Sequence, residues 1–177
     1  MEEKNEGTGV ARIAPEQKVA TDFPKFIATS MADQIKQADT KAFGTLSIIG
    51  IMTAALLSRL SVIKSAQVAL SESWILLFGA SAVLIIVALK FALAVVYPRL
   101  GKAEGKSLIY FKDIVLLKEE EFLRRGQDID AGEIIRQTYL NAYNLARVAE
   151  KKYSELRKAI SFTLLALVWT LVILLLS

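Results

Sequence analysis

The 177-residue chain contains no cysteine and no histidine. Those two absences remove thiol nucleophiles, disulfides and imidazole acid–base chemistry, and with them the usual zinc sites. Cysteine usage therefore carries no information about redox compartment. Charge of one sign is also scarce, with a formal net charge of only +4, so its placement matters more than its size. The first stretch, "MEEKNEGTGVARIAPEQK", lacks the basic start and apolar core of a signal peptide, and residues 1–22 are expected to form a mobile tail.

What the chain does have is apolar length. Hydrophobic residues make up 54% of it, and the mean hydropathy is +0.42. Crossing a bilayer core of about 30 Å takes roughly 20 mostly apolar helical residues. Three stretches satisfy this: 42–63, 74–97 and 159–176. So short a chain could not bury three such segments in a soluble core. Lys and Arg number six in residues 1–41, one in 64–73 and thirteen in 98–158. The excess of cations on the cytoplasmic side predicts a cytoplasmic N-terminus and an outside C-terminus, in agreement with three crossings.

Two cations interrupt the spans. Arg59 lies near the outer end of the first, and Lys90 stands seven residues before Tyr97, roughly 10 Å along a helix from the expected inner boundary. Either both snorkel to the nearer interface, or Lys90 faces a helix contact or a water-filled path. Gly50, Ala54 and Ser58 form a small-residue strip suited to close helix packing.

The regions outside the spans read as helix. Phe23, Ile27, Met31, Ile35, Ala38 and Ala42 recur at spacings of three and four, predicting an amphipathic helix over 23–41 with Pro24 in its first turn. Ile135, Tyr139, Ala142, Ala146, Ala149, Tyr153, Leu156 and Ile160 form a heptad seam leading into the third span. Asp130 and Glu133 have capping-box spacing at its start. The neighbour of this seam is either the 23–41 helix or a second protomer. The expected fold is an all-α membrane protein, with a helical cytoplasmic stalk continuous with the first and third spans.

Between the second span and the seam lies "GKAEGKS", residues 101–107. A phosphate-binding loop needs four residues between its glycines, a strand before it and a helix after it. Here three residues intervene, Leu100 stands where the first glycine belongs, and a membrane helix precedes. No NTPase is predicted, and no catalytic set or metal site emerges elsewhere. The wider stretch 97–114 is either a connector or a ligand pocket. As a connector, its Leu108–Phe111 segment docks on the bundle and a charged helix closed by Gly126 follows. As a pocket, Arg99, Lys102, Lys106 and Lys112 would meet a phosphate, and Tyr110 or Phe111 would stack on a base.

"ADTKA" at 38–42, "YPR" at 97–99, "IYFKDI" at 109–114 and the later Tyr139, Lys152 and Tyr153 together resemble the Pycsar transmembrane effector family, PycTM. The likeness covers about 30–177. It implies a non-enzymatic antiphage-defence effector of the bacterial inner membrane, without nucleic acid as a partner. A pyrimidine nucleotide cyclase would supply cyclic CMP or cyclic UMP, and the effector would respond by impairing the membrane in abortive infection. Asp39, Lys41, Asp113, Tyr139, Lys152 and Tyr153 are carried over as structural or interface positions. Arg99, Lys106, Tyr110, Phe111 and Lys112 are the expected messenger contacts. The chain shows no cyclic-nucleotide β-barrel, so direct sensing would fall to the stalk and the 97–126 loop of a homo-oligomer. A scaffold that docks a signalling partner through its seam is the rival reading; a transporter or channel would need more ionisable residues within the spans than Lys90 and Arg59.

Overall fold

The computed structural model describes residues 15–65, 72–97 and 107–176, the side chains of 15–21, 63–65 and 111 excepted. The first fourteen residues of the expected tail, the 66–71 connection, and 98–106 with Arg99, both loop glycines and Lys106 lie outside the described residues. Every regular element among the described residues is an α-helix: α1 (Pro15–Ser65), α2 (Glu72–Val96), α3 (Phe111–Leu116), α4 (Glu119–Asp128) and α5 (Ala131–Leu176). Three of these, α1, α2 and α5, carry runs long and apolar enough to cross a membrane. The chain is an all-α membrane protein.

It divides into two compact units, one of residues 1–29 and 103–143, the other of 30–102 and 144–177. The second unit is a three-helix bundle. On α1 the buried positions are Ala38, Ala42, Thr45, Ile49, Met52 and Leu56; on α2 they are Ser81, Ile85, Ala88, Ala92 and Val95. On α5 they are Ala149, Leu156, Ala159, Thr163, Ala166, Thr170 and Ile173. Alternating steps of three and four on all three helices are the signature of knobs-into-holes packing at shallow crossing angles. The direction of each helix is fixed by its contacts. Asp39 meets Lys152, whereas Phe91 stacks on Phe162 with ring centroids 5.6 Å apart. Trp169 Nε1 donates to the Leu77 carbonyl at 3.2 Å, and the Ser81 and Thr170 hydroxyls lie 3.5 Å apart. Thus α1 and α5 run parallel, and α2 runs against both.

Several local expectations change. Helix α1 starts at Pro15, so Pro24 sits within it and is buried, not in its first turn. The strip of Gly50, Ala54 and Ser58 faces outward, and a Cβ at Gly50 would touch nothing within 4 Å. On α5 the seam positions Ala142, Ala149 and Leu156 are buried as expected, but Tyr139 and Ile160 are exposed. In the bundle the companion strip runs through Ala159, Ala166 and Ile173, one residue earlier in the heptad, because small residues there let the helices approach closely.

The first unit contains α3, α4, the start of α1 and the start of α5. Residues 111–116 form a short helix between the Leu108–Phe111 segment and the charged helix α4. Gly126 lies inside α4, which ends instead at an extended Ile129. Asp130 caps α5 through Oδ1, accepting the Glu133 amide at 2.7 Å. The Glu133 carboxylate turns forward to Arg136 and Gln137 in place of returning to the cap.

Candidate functional site

The bundle brings two motifs 113 residues apart to one level. Helix α1 carries Asp39 and Lys41 two residues apart, within one turn just before the first apolar run and on different sides of the helix. Helix α5 places Lys152 and Tyr153 opposite them. The Lys152 ammonium donates to Asp39 Oδ1, and Lys41 Nζ stands 5.8 Å from the centroid of the Tyr153 ring. The ion pair is partly withdrawn from water, with side-chain exposures of 13% for Lys152 and 31% for Asp39. Ala38, Ala42, Val95 and Leu156 form a buried apolar layer at the same level of the bundle, with Val96 and Tyr153 packed against it. Such a layer lowers the local dielectric, which strengthens the pair and raises the cost of leaving either partner alone. The arrangement is a polar latch between α1 and α5, with α2 supplying part of the layer.

A second group of expected residues is assembled in the other unit. Ser107 Oγ accepts the amides of Ile109 and Tyr110, both at 3.1 Å. The Ser107 amide in turn donates to Asp113 Oδ2 at 3.0 Å, and the Asp113 amide returns to the Tyr110 carbonyl at 2.9 Å. Asp113 is buried. Ser107, which the sequence offers as the last residue of a nucleotide-loop near-match, is therefore a turn-forming residue that starts α3. From α5, Gln137 Oε1 accepts the Leu108 amide at 3.0 Å, and its Nε2 donates to Glu133 Oε1 at 2.9 Å. Hydrogen bonds from Arg136 and Gln137 hold the Glu133 carboxyl down to about 2.

An open cavity of about 390 Å³ lies in this unit, lined by Leu108, Arg124, Arg125, Asp128, Ile129, Glu133 and Gln137. Arg125 is paired to Glu121. Tyr110 and Lys112 belong to the same unit and are half-buried, but neither lines this cavity. Of the other expected messenger contacts, Arg99 and Lys106 lie outside the described residues, as does the Phe111 side chain. Tyr139 is 43% exposed. Ser107, Gln137 and Glu133 were missed as members of this network. The Asp130–Glu133 capping-box spacing points to Glu133 alone; the Ser107–Asp113 pairing depends on a bend that no spacing rule announces.

The sequence matches the Pycsar effector protein domain, PycTM, over residues 25–177. It is also 28% identical over 138 residues to the Pycsar effector protein SaPycTM of Staphylococcus aureus, covering 77% of this chain and 83% of that protein. No solved structure matches it. A match over nearly the whole chain, on a helical bundle with three membrane-length runs, fixes the relationship. The chain belongs to the Pycsar effector family, and it is an antiphage-defence effector.

Proposed function

We propose that the protein responds to a cyclic pyrimidine nucleotide, cyclic CMP or cyclic UMP, by rearranging as a homo-oligomer and impairing the bacterial inner membrane. A pyrimidine nucleotide cyclase supplies the messenger, and the cell is lost in abortive infection. The distribution of Lys and Arg supports a cytoplasmic N-terminus and an outside C-terminus. The observation that carries the reading is the Asp39–Lys152 and Lys41–Tyr153 latch. In a family of membrane effectors, it couples the helix pair that enters the bundle at the point where the apolar runs begin.

The mechanism is a shift between two packings. A messenger moves such an equilibrium only by its difference in affinity for the two states, and about 5.5 kcal/mol takes it from 1:99 to 99:1. Messenger contacts fall to Arg99, Lys106, Tyr110, Phe111 and Lys112, whose cations suit a cyclic phosphate and whose rings suit a pyrimidine. Binding there changes the packing of the stalks; the latch must then exchange partners or open for α1 and α5 to move. The outward strip of Gly50, Ala54 and Ser58 offers a second copy a close approach.

The test is dye entry into intact bacteria expressing the protein, with each nucleotide supplied by a matched cyclase. Entry with one pyrimidine nucleotide, abolished by Tyr110→Ala and Arg99→Ala in protein that still inserts, supports the proposal. A protein that inserts and leaves cells sealed under every nucleotide sinks it and favours a scaffold.

A further inference from the structure

Lys90 looks misplaced in the sequence, a cation inside an apolar run. The bundle gives it a partner. Lys90 Nζ lies 6.0 Å from the centroid of the Phe91 ring, and Lys158 Nζ lies 5.5 Å from the same centroid. Phe91 in turn stacks on Phe162. Lys158 is the last cation before the apolar run of α5 begins at residue 159. Because α2 descends as α5 climbs, the Phe91–Phe162 stack sets Lys90 about one turn inside the start of that run, close enough for its long stem to carry the ammonium toward the boundary. Two ammonium groups thus converge on one aromatic platform near the start of the α5 apolar run.

The charge there is not fully compensated among the described residues. Glu155 Oε1 takes Lys158 Nζ at 3.3 Å, leaving one positive charge among Lys90, Lys158 and Glu155. Lys90 is exposed, and Ile86 and Leu93, one turn to either side on its face of α2, are exposed as well. Apolar residues flanking a cation at this level would take acyl chains, while a phosphate at the boundary would take the ammonium hydrogens. A phosphodiester has one negative charge and two free oxygens, which matches one net charge and two donors.

We propose that Lys90 and Lys158, held around Phe91, form a binding site for the phosphodiester headgroup of an anionic phospholipid. The lipid bridges α2 and α5 and anchors the depth of the bundle. A soluble cyclic nucleotide shares the phosphodiester but lacks acyl chains for the Ile86–Leu93 face.

The test is lipid retention by the full chain in neutral-detergent micelles, measured by native mass spectrometry with phosphatidylglycerol, phosphatidylcholine or cyclic CMP added separately. The parent should retain phosphatidylglycerol on the order of tenfold over phosphatidylcholine, roughly what two surface cations against one carboxylate give. Lys90→Gln with Lys158→Gln should remove that preference, whereas Lys90→Arg and a control Lys151→Gln should keep it. An unchanged preference in the double variant, or none in the parent, overturns the site. Cyclic CMP retained by the parent and lost in the double variant would overturn the lipid assignment in favour of a soluble ligand.

Discussion

Replacing Lys152 by Met removes the ammonium of the latch while keeping most of the side-chain length. In the folded bundle Asp39 would then remain beside Ala38, Ala42, Val95 and Leu156 without its counter-ion. At contact distance and an effective dielectric near 20, a pair of unit charges attracts by about 4 kcal/mol, from which desolvation of both groups must be subtracted. For a pair that is partly exposed, a net loss of about 1–3 kcal/mol is expected, between the values for surface and buried pairs. In a protein of this size that lowers the thermal midpoint by roughly 2–12 °C. Asp39→Asn should cost a similar amount, since it strands the ammonium. The double variant should cost about as much as either single one, giving a coupling of about 1–3 kcal/mol in a thermal-unfolding cycle in micelles. Single effects that simply add, to within about 0.5 kcal/mol, would refute the latch.

Other outcomes follow from the same contacts. Ala166→Leu inserts a larger side chain into a fully buried position and should destabilise the bundle by about 1–3 kcal/mol; Gly50→Leu, which meets open space, should leave the thermal midpoint of the protomer unchanged. Ser107→Ala strips the acceptor for two amides and should cost about 1 kcal/mol locally, seen as faster hydrogen exchange over residues 107–116 with the bundle unaffected. Glu133 has a folded-state pKa lowered to about 2 from 4.5, chiefly by its hydrogen bond to Arg136. Its contribution to the α5 start is therefore complete above about 4.5 and is lost as the pH falls towards 2. An NMR titration of that carboxyl in which the midpoint lies at 4 or higher would contradict the Arg136 and Gln137 contacts.

The number of spans was legible because hydropathy reports membrane length directly. The faces of those helices were much less so. Within an apolar run every position is apolar, so the amphipathic signal that points a soluble helix at its core disappears. That is why Gly50, Ala54 and Ser58 looked like the packing strip while Thr45, Ile49, Met52 and Leu56 fill it. Outside the runs the pattern held in part: Ala38, Ala42, Ala142, Ala149 and Leu156 are buried where the spacing put them, whereas Phe23 and Tyr139 are exposed. The latch was half legible. Asp39, Lys41, Lys152 and Tyr153 stood out by their place in motifs, but only the parallel course of α1 and α5 joins them. Ser107 and Asp113 show the opposite case, since their partnership is made by a local bend and by Gln137 reaching in from α5.

The most direct test of the account is dye leakage from sealed liposomes containing only the purified protein, with cyclic CMP, cyclic UMP, cyclic AMP or no nucleotide. Leakage triggered by a pyrimidine nucleotide and not by cyclic AMP is the predicted result, and it should change when Asp39 and Lys152 are exchanged for Asn and Met. Liposomes that stay sealed with both pyrimidine nucleotides, around protein shown to be folded and inserted, would contradict a direct response to the messenger.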